Sequence, residues 1–292
     1  MHLKLLGLFV VVAALSSFGS RPSPKVIRVL IADGPQMAHK YLETTPVLEQ
    51  ILGKHPRFEV ERTRSSLEAC ADGSYRPRFS EYDVVVMNEG FGAPDWPEAT
   101  RKAFEEYIAG GGGMVSIHAA NNCWPDWKEY NRMTAVGGWA GRNEKCGPYL
   151  YIDAEGEVVR DPSEGTGGSH GPQHEFEVVV REPEHPITKG LPPTFPHGPD
   201  ELYDRLRGPA ENVTILASAY SSKEKKGTGR HEPALMVVSY GKGRIFHTIL
   251  GHHVQQIQEG SFVTTFLRGT EWAASGEVTI PVPEDFPDQE FE

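Results

Sequence analysis

Histidines are the residues of this sequence whose type and placement point most directly to chemistry. There are twelve in 292 residues, and several stand in glycine-containing loops such as GSHGPQH and TILGHH. His118 and His252 each lie just past a short apolar segment. Imidazole serves either as a general acid or base near neutral pH or as a neutral nitrogen ligand of a transition metal. The spacing alone leaves both roles open.

Carboxylates accompany these histidines. They follow an apolar segment or lie close to a histidine or a loop, and they are Asp33, Glu175, Glu201, Asp204 and Glu232. A carboxylate can orient an imidazole, complete a metal shell or act as a base itself. Each could equally be a solvated loop charge, and Asp204 can form an ordinary ion pair with Arg205. His170 and His174 have H-x3-H spacing, but the surrounding glycine and proline weaken this metal signal.

The elements that must position these residues alternate between strand and helix in the first half of the chain. Apolar, β-branched segments predict strands at 25–34, 57–63, 82–90 and 114–120. Helical patterns lie between them at 44–55 and 96–113, the first with Thr44 or Thr45 as its cap and Pro46 in its first turn. Alternation of this kind predicts βαβ units and a doubly wound, mostly parallel α/β sheet with helices on both faces.

The carboxyl ends of the strands form the binding crevice of such a sheet. The polar residues predicted at those ends are Asp33, Asn88, Glu89 and His118. Later apolar segments predict three more strands and a closing helix, at 212–220, 234–240, 243–253 and 261–274. Strand ends on one edge converge even when they are far apart in sequence, so we expect His118 and His252 to be neighbours. His247 falls inside an apolar strand and is assigned to the core.

Composition and the first residues limit the kind of partner. The formal net charge is -11 and no basic run occurs, which argues against nucleic acid and favours a small neutral or cationic ligand. Residues 1–20 combine an early Lys4 with an apolar run at 5–15, as in a secretory signal peptide. That run is too short for a bilayer span of about 20 residues. We therefore expect a secreted or periplasmic protein, with an uncleaved anchor as the alternative.

We predict one domain at 24–283, followed by an irregular acidic tail at 284–292. The three cysteines, Cys70, Cys123 and Cys146, are too few for a disulfide framework, although a Cys123–Cys146 bridge stays open. No G-x-S-x-G elbow or Walker A loop is present, and no G-x-G-x-x-G stands between a strand and a helix. Nucleotide chemistry therefore lacks its usual signals.

Motifs along the whole mature chain form an ordered series. They run from VLIADG and TTPVLEQIL through GGGGMVSIHAANNCWPDWKEYNRMTAVGGWAGR and GSHGPQHEFEV to GTGRHEPALMVVSYGKGRIFHTILGHH and RGTEWAASGEVTIPVPEDFP. This series resembles the ThuA-like (trehalose-utilisation) family. The resemblance implies membership of the class I glutamine amidotransferase-like superfamily and a flavodoxin-like fold.

The resemblance also identifies a difference from the glutaminases of that superfamily. In those enzymes a strand delivers a nucleophilic cysteine at a tight elbow. Here the corresponding strand, MVSIHAAN, delivers His118, and Cys123 lies five residues further on. Without a thiolate at the elbow the acyl-enzyme route is closed, so glutamine hydrolysis is not expected.

Family membership implies sugar catabolism, in particular the handling of 3-keto derivatives of glucosides such as trehalose. A ketone at carbon 3 acidifies the hydrogen at carbon 2, so a base there can form an enediolate that is epimerised or that loses the glycosidic oxygen. The protein must supply a base and an electrophile for the developing oxyanion. Histidines and carboxylates can supply both, with or without a divalent metal such as zinc.

We therefore predict an enzyme in which His118 or His252 is the base. Glu201 and Glu232 are the further catalytic candidates. The predicted substrate contacts are Asn121, Trp139, Arg142, His170 and Asp204. The candidate metal ligands are His174 and His231. Trp124, Trp127 and Tyr149 are loop aromatics that either stack on a sugar or cover the core.

Two other functions stay open on the sequence. One is a non-catalytic carbohydrate-binding module on an amidotransferase-like fold, and the other is a metal-dependent hydrolase of another substrate. The expected partner in each case is a small sugar, without nucleic acid and without a membrane span after signal cleavage. Oligomeric state is left open.

Overall fold

The computed structural model describes residues 25–289 and residue 291. The predicted signal peptide at 1–20 lies outside the described residues, as do Glu290 and Glu292 of the predicted acidic tail. Residues 281–289 contain neither helix nor strand. Within the described ranges, no helix has the length and apolar character needed to cross a membrane.

The described residues form thirteen strands and six α-helices, joined by loops and short 3-10 turns. The strands are β1 (Ile27–Asp33), β2 (Phe58–Arg64), β3 (Val84–Asn88), β4 (Gly113–Ile117), β5 (Tyr149–Ile152), β6 (Val158–Asp161), β7 (Ser169–His170), β8 (His174–Val180), β9 (Thr194–Asp200), β10 (Tyr203–Asp204), β11 (Val213–Ser221), β12 (Arg230–Tyr240) and β13 (Gly243–Thr248). The helices are α1 (Tyr41–Gly53), α2 (Leu67–Ala71), α3 (Glu98–Gly110), α4 (Lys128–Thr134), α5 (Val254–Gln258) and α6 (Gly260–Ser275).

Five neighbouring strands form the parallel half of the main sheet. They lie in the order β2, β1, β3, β4, β13 and pair in parallel throughout. This is the strand order of a flavodoxin-like sheet. Every residue of β3 is buried, because a central parallel strand is covered by helices on both faces. The predicted doubly wound α/β fold is confirmed.

The sheet continues beyond β13 with antiparallel strands. β12, β11, β8 and β9 follow in that order, and β5 and β6 attach to β12. The sequence did not predict β9, because Pro196 and Pro199 interrupt its strand pattern. Both prolines are tolerated because β9 is an edge strand that pairs with β8 alone.

The predicted start of α1 is wrong. The helix begins at Tyr41, and Pro46 lies inside it. Thr44 and Thr45 do not cap it, because their hydroxyl oxygens accept hydrogen bonds from Asn88 Nδ2 at 3.0 and 2.9 Å. A contact with the end of β3 therefore uses the side chains that the sequence pattern assigned to a helix cap.

The core has two parts, on opposite faces of the sheet, because successive residues of a strand point to opposite faces. On one face Val29 and Ile31 of β1 pack with Leu48 of α1 and with α6. On the other face Leu30 packs with α3 and the aromatic loop residues. Trp124 and Trp127 are buried there, so they cover the core and are not free to stack on a ligand.

Candidate active site

Strand β4 delivers His118 to the carboxyl edge of the sheet in a strained backbone conformation. Its φ is +42°, in the left-handed region that residues with a side chain seldom adopt. The Nδ1–H of the buried ring donates to the carbonyl oxygen of Ile249, at 2.5 Å. Because a carbonyl can only accept, Nδ1 carries a proton, and Nε2 is the ring nitrogen that faces the site.

His252 reaches the same place from the loop after β13. Its Nδ1 atom lies 3.1 Å from His118 Nε2 and 3.0 Å from Glu201 Oε2. Gly251 makes the necessary turn with a φ of +102°, and a Cβ atom there would lie 2.7 Å from the ring of Phe262. The structure thus brings together the two histidines that strand convergence predicted as neighbours.

Glu201 follows β9 and turns its carboxylate towards these rings. Its Oε2 atom also lies 3.8 Å from His118 Nε2 and 3.6 Å from His170 Nε2. Burial raises the pKa of Glu201, but the His118 and His252 imidazoles outweigh burial and hold that pKa well below its ordinary value. The group is therefore a carboxylate at neutral pH.

Asp200 positions this part of the site from behind. Its buried carboxylate accepts hydrogen bonds from His197 Nε2 at 2.9 Å and from the Gly251 amide at 2.7 Å. Its other oxygen accepts from the Glu201 amide at 2.7 Å. One carboxylate thus joins the end of β9 to the loop that carries His252. Sequence reasoning missed Asp200 because it ends a strand that was itself not predicted.

His39 is a further member that sequence reasoning missed. It lies between β1 and α1, with its ring centroid 5.0 Å from that of His118 and 4.7 Å from that of His252. Burial, together with these two imidazoles, lowers the pKa of His39 to about 2, so its ring is neutral. The available signal was its place in the loop that leaves the carboxyl end of β1.

Four potential metal-ligand side chains lie close together: His39, His118, Glu201 and His252, which we call the four-residue set. One nitrogen each from His39, His118 and His252 and one oxygen from Glu201 all lie within 4.8 Å of one another. Among residues 25–289 and 291, this is the one group of three or more such side chains close enough to share a metal ion. The set can hold a metal, bind an oxyanion through imidazole N–H groups, or exchange protons.

Aromatic side chains and His170 flank the four-residue set. The Tyr203 ring lies against His118 with a centroid distance of 4.1 Å, and Trp139 packs against Tyr203 at 4.6 Å. His170 is 35% exposed at its side chain, and its Nδ1–H donates to the Gly171 carbonyl at 2.7 Å. Tyr203 is buried, so the partly exposed Trp139, whose ring centroid lies 5.9 Å from that of His170, is the aromatic side chain that can meet a sugar.

The sequence predicted that Asn121 and Arg142 contact the sugar. In the structure both side chains are buried and hydrogen-bond within the protein. Asn121 Nδ2 lies 2.9 Å from His247 Nε2, in the core as expected for His247. The buried Arg142 guanidinium donates to the carbonyl oxygens of Asn122, Cys123 and Gly138 and to Asn131 Oδ1. A buried cation needs such partners, so Arg142 holds the loop after His118 in place.

Glu232 and Asp204 form a second buried acidic group. Glu232 Oε1 accepts from Thr228 Oγ1 at 2.7 Å and from Arg230 Nε at 2.8 Å. Asp204 Oδ2 accepts from Ser221 Oγ at 2.8 Å. Burial, and secondarily the Asp204 charge, raises the pKa of Glu232 to about 7. Neither residue belongs to the four-residue set. Asp204 binds Ser221 at the end of β11, and Glu232 binds Thr228 in the loop between β11 and β12.

His174 and His231, the candidate metal ligands from the sequence, also stand outside the four-residue set. His174 is partly exposed in β8, and its Nδ1–H donates to the Pro172 carbonyl at 2.8 Å. His231 is in β12, where Nδ1 lies 3.4 Å from Ser218 Oγ. The expected pair is not formed because the two residues face different neighbours.

The acidic residues predicted at the ends of β1 and β3 are paired locally. Asp33 accepts hydrogen bonds from Arg64 at 2.9 and 3.0 Å. Glu89 accepts from Ser65 Oγ at 2.6 Å and, more weakly, from Trp96 Nε1 at 3.4 Å. Burial raises the pKa of Glu89 to about 8.

The three cysteines are free thiols, so the Cys123–Cys146 bridge is not formed. Cys123 is buried, and its Sγ–H donates to the Gly90 carbonyl at 3.3 Å. Burial raises the pKa of Cys123 well above its ordinary value. The elbow therefore carries the His118 imidazole, and the nearest thiol is an inert core group.

The sheet order, with a histidine at the elbow after β4, defines an α/β protein whose fold is consistent with the amidotransferase-like superfamily. The model of the ThuA family, described as trehalose utilisation, matches residues 28–273. The chain belongs to the ThuA family.

Two solved ThuA-like structures resemble the chain over most of its length. One, from Parabacteroides merdae, is 45% identical, covers 90% of this chain and 95% of its own, and has a TM-score of 0.85. Another, from Bacteroides uniformis, is 21% identical, covers 91% and 97%, and has a TM-score of 0.58, which supports the shared fold. No curated protein matches the chain.

Proposed function

We propose that this protein is a sugar-catabolic enzyme that acts on 3-keto-glycosides by removing the proton beside the ketone. The observation that carries the proposal is the convergence of His118, His252, Glu201 and His39 at the carboxyl edge of the sheet, beside His170 and the partly exposed Trp139. The family description, trehalose utilisation, supports a glycoside as the substrate.

The chemistry needs a base at carbon 2 and a partner for the ketone oxygen. The C2–H bond breaks, its electron pair forms a C2–C3 double bond, and the carbonyl π pair moves onto the oxygen at carbon 3. When the ketone forms again, the C2–C3 π pair moves to form a C1–C2 double bond, and the bond from carbon 1 to the glycosidic oxygen breaks. The glycosidic oxygen leaves with a proton. Addition of water across that bond gives the 3-keto-sugar. Reprotonation on the opposite face without elimination gives the epimer.

His170 is the base in this proposal. Its Nδ1–H is held by the Gly171 carbonyl, so Nε2 is the free basic atom. That atom lies 3.6 Å from Glu201 Oε2, and the side chain is exposed enough to meet a substrate. The ring nitrogens of His118 and His252 instead face each other and Glu201. They are better placed to receive the oxygen at carbon 3 than to reach the hydrogen at carbon 2, which revises the expectation from sequence.

The test follows proton exchange at carbon 2 of 3-keto-trehalose and methyl 3-keto-glucoside in D2O by NMR. We expect exchange and loss of the glycoside with the wild type, in buffer supplemented with Zn2+, Mn2+ or Co2+ in turn. His170→Asn should slow exchange by about 10²- to 10⁴-fold, the usual contribution of a general base.

His174→Asn is the matched control, because His174 is a partly exposed histidine four residues away that lies outside the four-residue set. It should keep wild-type exchange. Wild-type protein that leaves both ketones unchanged with every metal contradicts the proposal. Tight sugar binding without exchange would identify a carbohydrate-binding module instead.

We also propose export, on the signal-peptide pattern of residues 1–20. Mass spectrometry of the mature amino terminus, after expression of the full chain, checks this. An intact Met1 in protein from the cytoplasmic fraction alone would contradict it.

A further inference from the structure

We propose that His39, His118, His252 and Glu201 bind one divalent transition-metal ion, with Zn2+ as the ion that best fits the donor set. The inference concerns the same site as the proposed function, but it does not rest on the identity of the substrate. Three of the four residues were predicted catalytic residues for which the sequence left a metal-ligand role open, and His39 was not expected at all. The ligands that the sequence suggested, His174 and His231, lie elsewhere.

Three of the four donor atoms are separated by nearly the distances that a metal imposes, and the His39 nitrogen lies within 4.8 Å of the others. Ligand atoms about 2.0–2.2 Å from a tetrahedral zinc ion lie roughly 3.3–3.5 Å from one another. Here Glu201 Oε2 lies 3.0 Å from His252 Nδ1 and 3.8 Å from His118 Nε2, and the two nitrogens are 3.1 Å apart. A small contraction or expansion about a common centre converts this cluster into a coordination shell.

With neutral rings, as metal ligation requires, the cluster has more converging lone pairs than protons. The one ring proton of a neutral His118 is on Nδ1, which donates to the Ile249 carbonyl, so Nε2 presents a lone pair. Glu201 contributes a carboxylate oxygen. His252 Nδ1 faces both His118 Nε2 and Glu201 Oε2. At most one proton, on that nitrogen, can therefore lie between these three atoms. Lone pairs that converge without enough protons in a largely buried place are stabilised by a cation.

Residues behind the ligands orient them by hydrogen bonds, as the groups that contact the ligands do in metalloproteins. The Ile249 carbonyl fixes the tautomer of His118, and Asp200 accepts from the amides of Glu201 and Gly251. Tyr203 places its hydroxyl 3.3 Å from His39 Nε2. The ligand side chains are thus oriented by contacts that do not depend on the ion.

The donor types narrow the choice of ion. Three imidazoles and one carboxylate suit zinc and the neighbouring first-row ions, whereas Mg2+ and Ca2+ prefer shells made of oxygen. No thiolate is among the proposed ligands, since the Cys123 Sγ–H donates a hydrogen bond to the Gly90 carbonyl. A bound ion supplies a Lewis acid for the oxygen at carbon 3, and His170 stays free as the base.

The test uses the full mature chain, stripped with a chelator and then titrated with Zn2+ or Co2+ alone. We expect one ion per chain by elemental analysis, a rise in Tm on addition of Zn2+, and visible Co2+ absorption of the intensity typical of four- or five-coordinate sites. His39→Gln should weaken Zn2+ affinity by about 100-fold or more, because even loss of a residue that only hydrogen-bonds to a metal ligand costs about 10- to 100-fold.

His39→Gln is the preferred variant because His39 lies in a loop, so folding should be retained, and Glu201→Gln repeats the test from another element. His174→Gln is the matched control and should bind Zn2+ as the wild type does. Equal, substoichiometric metal in wild type, His39→Gln and Glu201→Gln overturns the proposal. So does a Co2+ spectrum of weak, octahedral type in the wild type, whether or not the variants fold.

The two proposals fail in distinguishable ways. One bound ion without proton exchange on any 3-keto-glycoside leaves the metal site standing and removes the proposed function. Exchange by chelator-treated protein that binds no metal does the reverse.

Discussion

At the scale of single residues, the backbone conformation of His118 affects stability independently of the imidazole side chain. A left-handed φ of +42° costs a residue with a Cβ atom roughly 1–2 kcal/mol, whereas glycine adopts it freely. The Ile249 hydrogen bond and the stack on Tyr203 help to hold the imidazole in that conformation. Any residue with a Cβ atom at position 118 would therefore carry this backbone strain, whatever the rest of its side chain.

We predict that His118→Gly unfolds with a free energy about 1 kcal/mol higher than His118→Ala, because both lose the imidazole and only glycine is relaxed at this φ. Urea denaturation of the pair measures the difference. The neighbouring Ala119 does not have a positive φ, so Ala119→Gly should lower stability instead. Equal stabilities of the two His118 variants would show that the elbow is unstrained.

Sequence reasoning went furthest at residues that directly follow apolar strands. His118 and His252 were placed together on that basis, and their nitrogens lie 3.1 Å apart. His39 was missed because, although its loop leaves the carboxyl end of β1, several residues separate it from that strand and a loop has no periodicity that predicts where its side chains lie. Arg142 was misassigned because a buried guanidinium and a ligand-binding one look alike until their partners are known.

At the scale of elements, α6 lies so close to the sheet that one glycine sets the distance. A Cβ atom on Gly269 would lie 2.1 Å from the Phe246 ring in β13. Phe246 is fully buried, so the ring has no free space to move into. Alanine has a higher helix propensity than glycine, but at position 269 its methyl group would clash with the Phe246 ring.

We predict that Gly269→Ala lowers the free energy of unfolding by about 1–3 kcal/mol through overpacking. Gly110→Ala is the control, since Gly110 ends α3 with nothing within 4 Å of its Cβ position. That change should be neutral or slightly stabilising. Chemical denaturation measures both, and a Gly269→Ala protein as stable as the control would mean that α6 can move away from β13 at no cost.

The elements of the parallel half were accessible to sequence reasoning, and others were not. β1, β3 and β4 are continuous apolar runs, which is what burial on both faces requires. β9 was invisible because its prolines are compatible with a strand only at a sheet edge, and edge position is a property of the assembled sheet. The start of α1 was misjudged because Asn88 engages both threonines across the structure.

At the scale of the whole molecule, a buried acid links stability to pH. Burial raises the pKa of Glu89 to about 8, far above its value in an unfolded chain. Between about pH 4.5 and 8 the folded state therefore keeps a proton that the unfolded state has lost. Stability from this group is fully present below the unfolded pKa and is lost as the pH rises through the folded one.

We predict that Glu89 contributes to the wild type a loss of stability between pH 5 and 8 of at most about 1.4 kcal/mol per pH unit. Glu89→Gln should remove that contribution, because an amide does not ionise and can still accept from Ser65. Urea midpoints across this pH range compare the two proteins. Parallel pH profiles would mean that Glu89 is ionised in the folded state.

The overall sheet was predictable in kind but not in full extent. Alternating strands and helices predicted the flavodoxin-like half, since few arrangements bury such segments. The antiparallel extension could not be ordered from sequence, because which strand pairs with which depends on contacts between distant segments. The site lies where the two halves meet: β4 and β13 belong to the first and β9 to the second.

The ligands of the four-residue set come from loops after β1, β4, β9 and β13, spread from residue 39 to residue 252. During synthesis, none of the earlier loops can complete the cluster until the segment after β13 has emerged and docked beside β4. Pairings of such long sequence separation form slowly. An ion that needs all four ligands binds the finished sheet and not its precursors, so it would stabilise only correctly assembled molecules, by an amount set by its free concentration.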